Sequence, residues 1–155
     1  MNKNKLKWSL ELVWWVVTLV VAATIIFPIW SEMPDFPFFS TNFIFVISMI
    51  TLTRYIFLLE HTFMARWLIF KIALIFLAIP IVFLLVQEVN YFQTYLDENG
   101  FEPFIKNVTA TQQRSLATYV QSEMLFFGVG SVIAGLALPI RMLISVWRQY
   151  NLDKV

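Results

Sequence analysis

Apolar positions along this chain fall into four long blocks, at residues 8–30, 42–60, 67–87 and 124–147, parted by stretches where proline, charge and hydroxyl residues return. At about 1.5 Å per helical residue, each block is long enough to cross a hydrocarbon core of roughly 30 Å. In lipid every backbone N–H and C=O must find a partner inside the protein, and a continuous apolar run does this as a helix. The pattern predicts an all-α integral membrane four-helix bundle, one membrane domain over residues 1–155.

The first block follows a basic start with Lys3, Lys5 and Lys7. Its length, the bulky Trp14 and Trp15 and the lack of a small-x-small cleavage pattern after it favour an uncleaved transmembrane helix over a signal peptide. Residues 31–41 form a connector in which Pro34 and Pro37 cannot continue a helix. Its Phe36, Phe38 and Phe39 are expected at the headgroup boundary, with Thr41 or Asn42 capping the second helix. A turn over 61–66, without Gly or Pro, leads to the third block, which Pro80 should kink by freeing the Phe76 carbonyl.

Residues 88–123 are the one sizeable polar stretch, yet apolar periodicity runs through it. Leu85, Val89, Phe92 and Leu96 make one helical stripe that ends at a capping pair, Asn99-Gly100. Residues 101–108 read as a loop, and Thr109 or Thr111 as the cap of a new helix. Leu116, Val120, Glu123 or Met124, and Phe127 then line one face into the fourth block. The expectation is an antiparallel helical hairpin that carries the third and fourth helices about 15–20 Å beyond the membrane on its non-cytoplasmic side. Within the fourth block Gly130 with Ala134 and Ser131 with Gly135 form small-xxx-small pairs, suited to close helix packing within the bundle. Pro139 should bend that helix near Gly135.

Composition agrees with a lipid environment: 59% of residues are hydrophobic and 14% charged, against about 25% charged in soluble domains. A net charge of +1 gives no bulk attraction to nucleic acid. The absence of cysteine removes disulfides, thiolate metal sites and cysteine nucleophiles, and a single histidine cannot supply both axial ligands of a bis-histidine haem.

Charge also sets the orientation. Lys3, Lys5, Lys7, Arg66, Arg148 and Lys154 flank one side. The other has Lys106 and Arg114 among seven acids, Glu32, Asp35, Glu88, Asp97, Glu98, Glu102 and Glu123. The Lys/Arg bias places both termini in the cytoplasm, and short loops in a small chain suggest a bacterial inner membrane. Trp8, Trp14, Trp15, Trp67 and Trp147 fit an inner aromatic belt and Trp30 an outer one. Asn107-Val108-Thr109 is a glycosylation sequon, relevant only in a secretory-pathway host.

Charges inside a span are costly and mark candidate sites. Glu11, Arg54, Glu60, His61, Lys71 and Arg141 qualify. Arg54 is deepest, about 18 Å from the outer end of its span, and its side chain leans toward the outer N-terminus of its helix, away from the nearer interface. On a helical wheel Ser48, Thr51, Arg54, Tyr55, His61 and Thr62 share an arc of about 140°, while Glu60 points some 120° from Arg54. Glu11 is therefore the better partner, across an axial gap of about 10 Å. The inner half then keeps a surplus of one positive charge over Glu11 and Glu60.

Three readings of this polar face stand open. It holds the helices in register; it lines a cytoplasm-facing cavity for an anionic group such as a lipid headgroup; or it meets another membrane subunit. Neither a zinc-protease, a serine-hydrolase nor a phosphate-loop motif occurs, and no carboxylate pair sits at helical spacing in a span, so no enzyme, cofactor or metal is expected. The first expectation is a non-catalytic accessory or regulatory subunit of a larger inner-membrane complex, in contact with membrane lipids and either another membrane protein or further copies of itself. The alternative is a small-molecule or lipid-binding or transport protein that uses Arg54, His61, Glu11, Thr51, Tyr55, Ser48 and Arg141.

Overall fold

Helix is the only regular structure that lets each apolar block satisfy its own backbone in lipid, and four helices dominate the computed structural model, which describes residues 3–101, 103–104 and 109–152. They are α1 (Lys3–Glu32), α2 (Phe39–Phe57), α3 (Leu68–Asn99) and α4 (Ala110–Leu152). All four are long and apolar enough to cross a membrane. Large apolar side chains point outward along them, Ile69 at 81%, Phe57 at 76% and Phe83 at 71% exposure. Such a surface is stable against lipid and not against water, so the chain is a multi-pass membrane protein.

The helices begin and end differently from the apolar blocks. α2 starts at Phe39, with Phe38 in the cap position and no side chain capping it. Neither Thr41 nor Asn42 is the cap, because the first turn is already closed by the Asn42 N–H to Phe38 O bond of 2.8 Å. α2 stops at Phe57, short of the expected residue 60. Two 3-10 turns, Leu59–His61 and Phe63–Arg66, then reverse the chain. The reversal needs no glycine: Thr62 adopts an extended conformation between the turns, and its buried hydroxyl donates to Leu59 O at 2.7 Å.

α3 and α4 have 32 and 43 residues. At the helical rise these are about 48 and 64 Å, well beyond a hydrocarbon core of about 30 Å. α3 ends at Gly100, whose φ of 64° and ψ of −164° lie in a region open to glycine almost alone. Its N–H bonds to Leu96 O at 2.9 Å. A Cβ there would meet nothing within 4 Å, so Gly100→Ala tests backbone strain by itself. It is expected to cost about 1–3 kcal/mol in thermal unfolding without loss of helical content. Ahead of α4, Thr109 closes half a capping box: the Gln112 side-chain oxygen accepts its hydroxyl at 2.7 Å and its N–H at 3.3 Å. The 105–108 stretch, with most of the Asn107-Val108-Thr109 sequon, and Lys154 lie outside the described residues.

α4 is the central element. α2 and α3 pack along it, and α1 packs on α2. α3 and α4 run antiparallel, with Gly135 against Val82, Gly128 against Val89, and Gln149 bonded to Lys71. Lys7, Glu60 and Arg148 meet at one end of the molecule. At the other end, the Tyr119 hydroxyl donates to Ile25 O at 2.9 Å.

That second end carries an aromatic plug. Phe36 and Phe38 were expected at the headgroup boundary, but each is only 3% exposed. Phe38 stacks on Phe92 and Tyr95 at 5.3 and 5.1 Å, and Phe36 on Phe104 at 5.9 Å. The length of α3 explains the difference, because its extension supplies an aromatic wall for the connector to fold against.

Candidate functional site

Arg54 sits in the last turn of α2 and Glu11 in the first half of α1. Their side chains close the axial gap directly, with Nη2 of Arg54 2.6 Å from Oε2 of Glu11 and the two side chains 6% and 5% exposed. The guanidinium carbon lies 5.6 Å from the ring centroids of both Trp14 and Tyr55. Ring faces carry negative potential, so the two aromatics add cation–π attraction to the ion pair. Trp14 is thus half-buried over Arg54, unlike the exposed belt residues Trp8, Trp67 and Trp147. Arg54 Nε has no hydrogen-bond partner among the described residues. Beside the pair, an apolar groove of about 300 Å³ is lined by Trp14, Met49, Ile50, Thr53, Phe57 and Phe127.

The rest of the expected polar face is divided. Tyr55 is buried next to Arg54, while Thr51 and Ser48 are half-buried about one and two turns toward the N-terminus of α2. His61 does not join them. It is exposed on a 3-10 turn, because α2 has ended at Phe57 and the helical wheel no longer applies. Arg141 is apart from Arg54 as well. It donates Nε–H to Ile56 O at 2.9 Å, one of the carbonyls left open at the C-terminus of α2, where a cation also meets the negative end of the helix dipole. Lys71 is 2% exposed and donates to the Gln149 side-chain oxygen at 2.8 Å. Glu60 is exposed and 3.6 Å from Arg148.

The small residues of α4 face the other helices. Gly130 lies against Met49 of α2 and Gly135 against Val82 of α3. Ser131 is fully buried with its hydroxyl on Gly128 O at 2.7 Å, and Ala134 is 7% exposed. Gly128, which forms no small-xxx-small pair in the sequence expectation, packs against both α2 and α3. A Cβ on it would stand 2.8 Å from Val89 and 3.0 Å from the Phe45 ring.

A second polar cluster was not anticipated. Asn42 of α2 is fully buried and donates from Nδ2 to Glu123 Oε2 of α4 at 2.7 Å. One residue earlier, Thr41 donates to Glu88 of α3 at 3.0 Å. Together these bonds tie the N-terminal end of α2 to α3 and α4. The signal was present: Glu123 falls in the apolar stripe of α4, and a buried carboxylate demands a donor. Glu123 Oε1 and Asn42 Oδ1 have no donor of their own among the described residues. Asn42→Ala is expected to lower stability by about 1–3 kcal/mol, read by thermal unfolding in mild detergent. Glu123→Gln should be neutral or stabilising by the same measure, since its amide can donate to Asn42 Oδ1 while accepting from Nδ2.

These contacts are chemically those of a joint. The Arg54–Glu11 ion pair fixes α1 on α2, the Asn42–Glu123 amide–carboxylate pair fixes α2 on α4, and glycine contacts bring α4 close to α2 and α3. No protein-family model, curated protein or solved structure matches this chain, so these contacts are the basis for its functional reading.

Proposed function

We propose that this chain is a non-catalytic accessory or regulatory subunit of a larger membrane assembly. The observation that carries the reading is the Arg54–Glu11 pair. The most deeply placed cation, first choice for a ligand site, is neutralised at 2.6 Å within the chain and covered by Trp14 and Tyr55. A pair so placed fixes helices in register. The Lys/Arg bias supports an inner-membrane setting with both termini in the cytoplasm. The outer extension of α3 and α4 then offers the recognition surface, with Tyr91 59% exposed and Thr111, Arg114, Ser115, Thr118 and Ser122 along an exposed polar face of α4.

The test is a photo-crosslinking amino acid placed in cells at Tyr91 or Thr118, with Phe83 on the exposed apolar face of α3 as control. The expected result is one discrete crosslinked protein from the first two positions, absent from the control. Crosslinks to no protein at Tyr91 and Thr118 would contradict a recognition role for this surface.

A further inference from the structure

Asn42 and Glu123 together hold more acceptors than donors. Asn42 Nδ2 donates to Glu123 Oε2 at 2.7 Å. The second oxygen of each group, Glu123 Oε1 and Asn42 Oδ1, is buried with no partner among the described residues. Two bare acceptors within one hydrogen-bonded pair are costly, since each loses its water without gaining a donor. An ionised carboxylate can only accept, whereas a protonated one has an O–H to give. One proton on Glu123 therefore turns a surplus acceptor into the missing donor.

The surroundings favour that proton. Glu123 is 8% exposed and Asn42 fully buried. On α2 the cation is Arg54, about 18 Å from Asn42 along the helix and already paired with Glu11. On α4, Arg114 is exposed and about 14 Å from Glu123. α3 presents Glu88, an acid bonded to Thr41, and the phenols Tyr91 and Tyr95. Between Glu11 and Glu32, α1 carries no titratable side chain. Tyr119, one turn before Glu123, gives its hydroxyl hydrogen to Ile25 O. Glu123 itself lies just ahead of the fourth apolar block. Burial pushes its carboxyl up to about 7, against the lowering effect of the Asn42 bond.

We propose that Glu123 and Asn42 form a proton-binding site, in which the protonated carboxyl donates from Oε1 to Asn42 Oδ1 while Oε2 accepts from Nδ2. Two hydrogen bonds then close a ring that locks the N-terminal end of α2 onto α4. Loss of the proton opens the ring and leaves a buried charge beside an amide oxygen, so the joint weakens as pH rises. Exchange with water needs only transient local opening, not a standing channel. The folded protein binds this proton more tightly than the unfolded chain does. Stability is therefore expected to fall as pH rises from about 4.5 through about 7, with no further loss from this group above that window.

The experiment is thermal unfolding of the purified chain in mild detergent from about pH 5 to about pH 9, with the infrared carbonyl stretch of a protonated carboxyl followed over the same range. Glu123→Gln mimics the protonated state at every pH. It is expected to match the wild type at the acid end and to unfold about 5 °C higher at the alkaline end. The protonated-carboxyl band should be present in the wild type on the acid side of neutrality, fade on the alkaline side, and be missing from Glu123→Gln. Asn42→Ala should shift that band, because the O–H loses its acceptor. Should Glu123→Gln not fold, the wild-type infrared titration decides alone. A wild-type spectrum without this band just below neutral pH, or a difference between wild type and Glu123→Gln that does not change with pH, would overturn the site. A band unmoved in folded Asn42→Ala would overturn Asn42 as the acceptor.

Discussion

Arg54→Met should destabilise the bundle by about 3–5 kcal/mol, the cost of leaving a buried charge without its partner. Both side chains are about 95% inaccessible, so neither water nor salt can substitute for the lost group. Glu11→Gln should cost a comparable amount, because it strands the guanidinium. The informative variant is the double one. Glu11→Gln/Arg54→Met removes both charges and is expected to return to within about 1–2 kcal/mol of wild type, since a neutral replacement of an entire buried pair is often tolerated. Thermal unfolding in mild detergent supplies all four corners of the cycle. Additive losses in the double variant would mean that each residue acts alone, and the pair would lose its role as the α1–α2 joint.

The second large effect is expected at Gly128. Valine there places a Cβ 2.8 Å from Val89 Cγ2 and within 3.0 to 3.2 Å of the Phe45 ring. Phe45 is fully buried and Val89 nearly so, both in the larger core cluster, so neither can move aside cheaply. Overpacking of this kind costs about 1–3 kcal/mol, and Gly128→Val should reach the upper part of that range. Gly130 is the contrast. Its Cβ would meet the Met49 sulfur at 2.7 Å, but an unbranched thioether can swing away. Removing a helical glycine also gains up to about 1 kcal/mol of propensity. Gly130→Ala is therefore expected to lie near neutral and Gly128→Val well below wild type in unfolding temperature. The reverse order would mean that the α2–α4 contact, not the meeting of α2, α3 and α4 at Gly128, sets the packing.

The four spans were legible because apolar length and periodicity act along the chain, residue by residue. So was the end of α3, since the Asn99-Gly100 pair marks a conformation that glycine adopts with little strain. The Arg54–Glu11 partnership was legible because a deep cation needs an anion, although Glu60 is excluded by its place on a 3-10 turn beyond the end of α2 rather than by a helical wheel. What escaped was decided between helices. His61 was assigned to the Arg54 face by extending a helical wheel past Phe57, and no local residue marks that helix end. Asn42 read as a cap because its partner, Glu123, lies 81 positions away. Phe36 and Phe38 read as interfacial because only the folded extension of α3 supplies the wall that buries them. The Lys71–Gln149 bond escaped because the two residues meet only when α3 and α4 pack antiparallel.

The central proposal is that this bundle works as part of a larger membrane assembly. The most direct measurement is the mass of the particle that carries the tagged chain at native expression level after gentle detergent extraction, with its components identified by mass spectrometry. The account predicts a second membrane protein in fixed stoichiometry, retained in Glu11→Gln/Arg54→Met because the inner pair holds this chain together, not its partner. A particle made of this chain alone, with a small anionic metabolite bound in stoichiometric amount at Arg54 and lost in Arg54→Met, would contradict it.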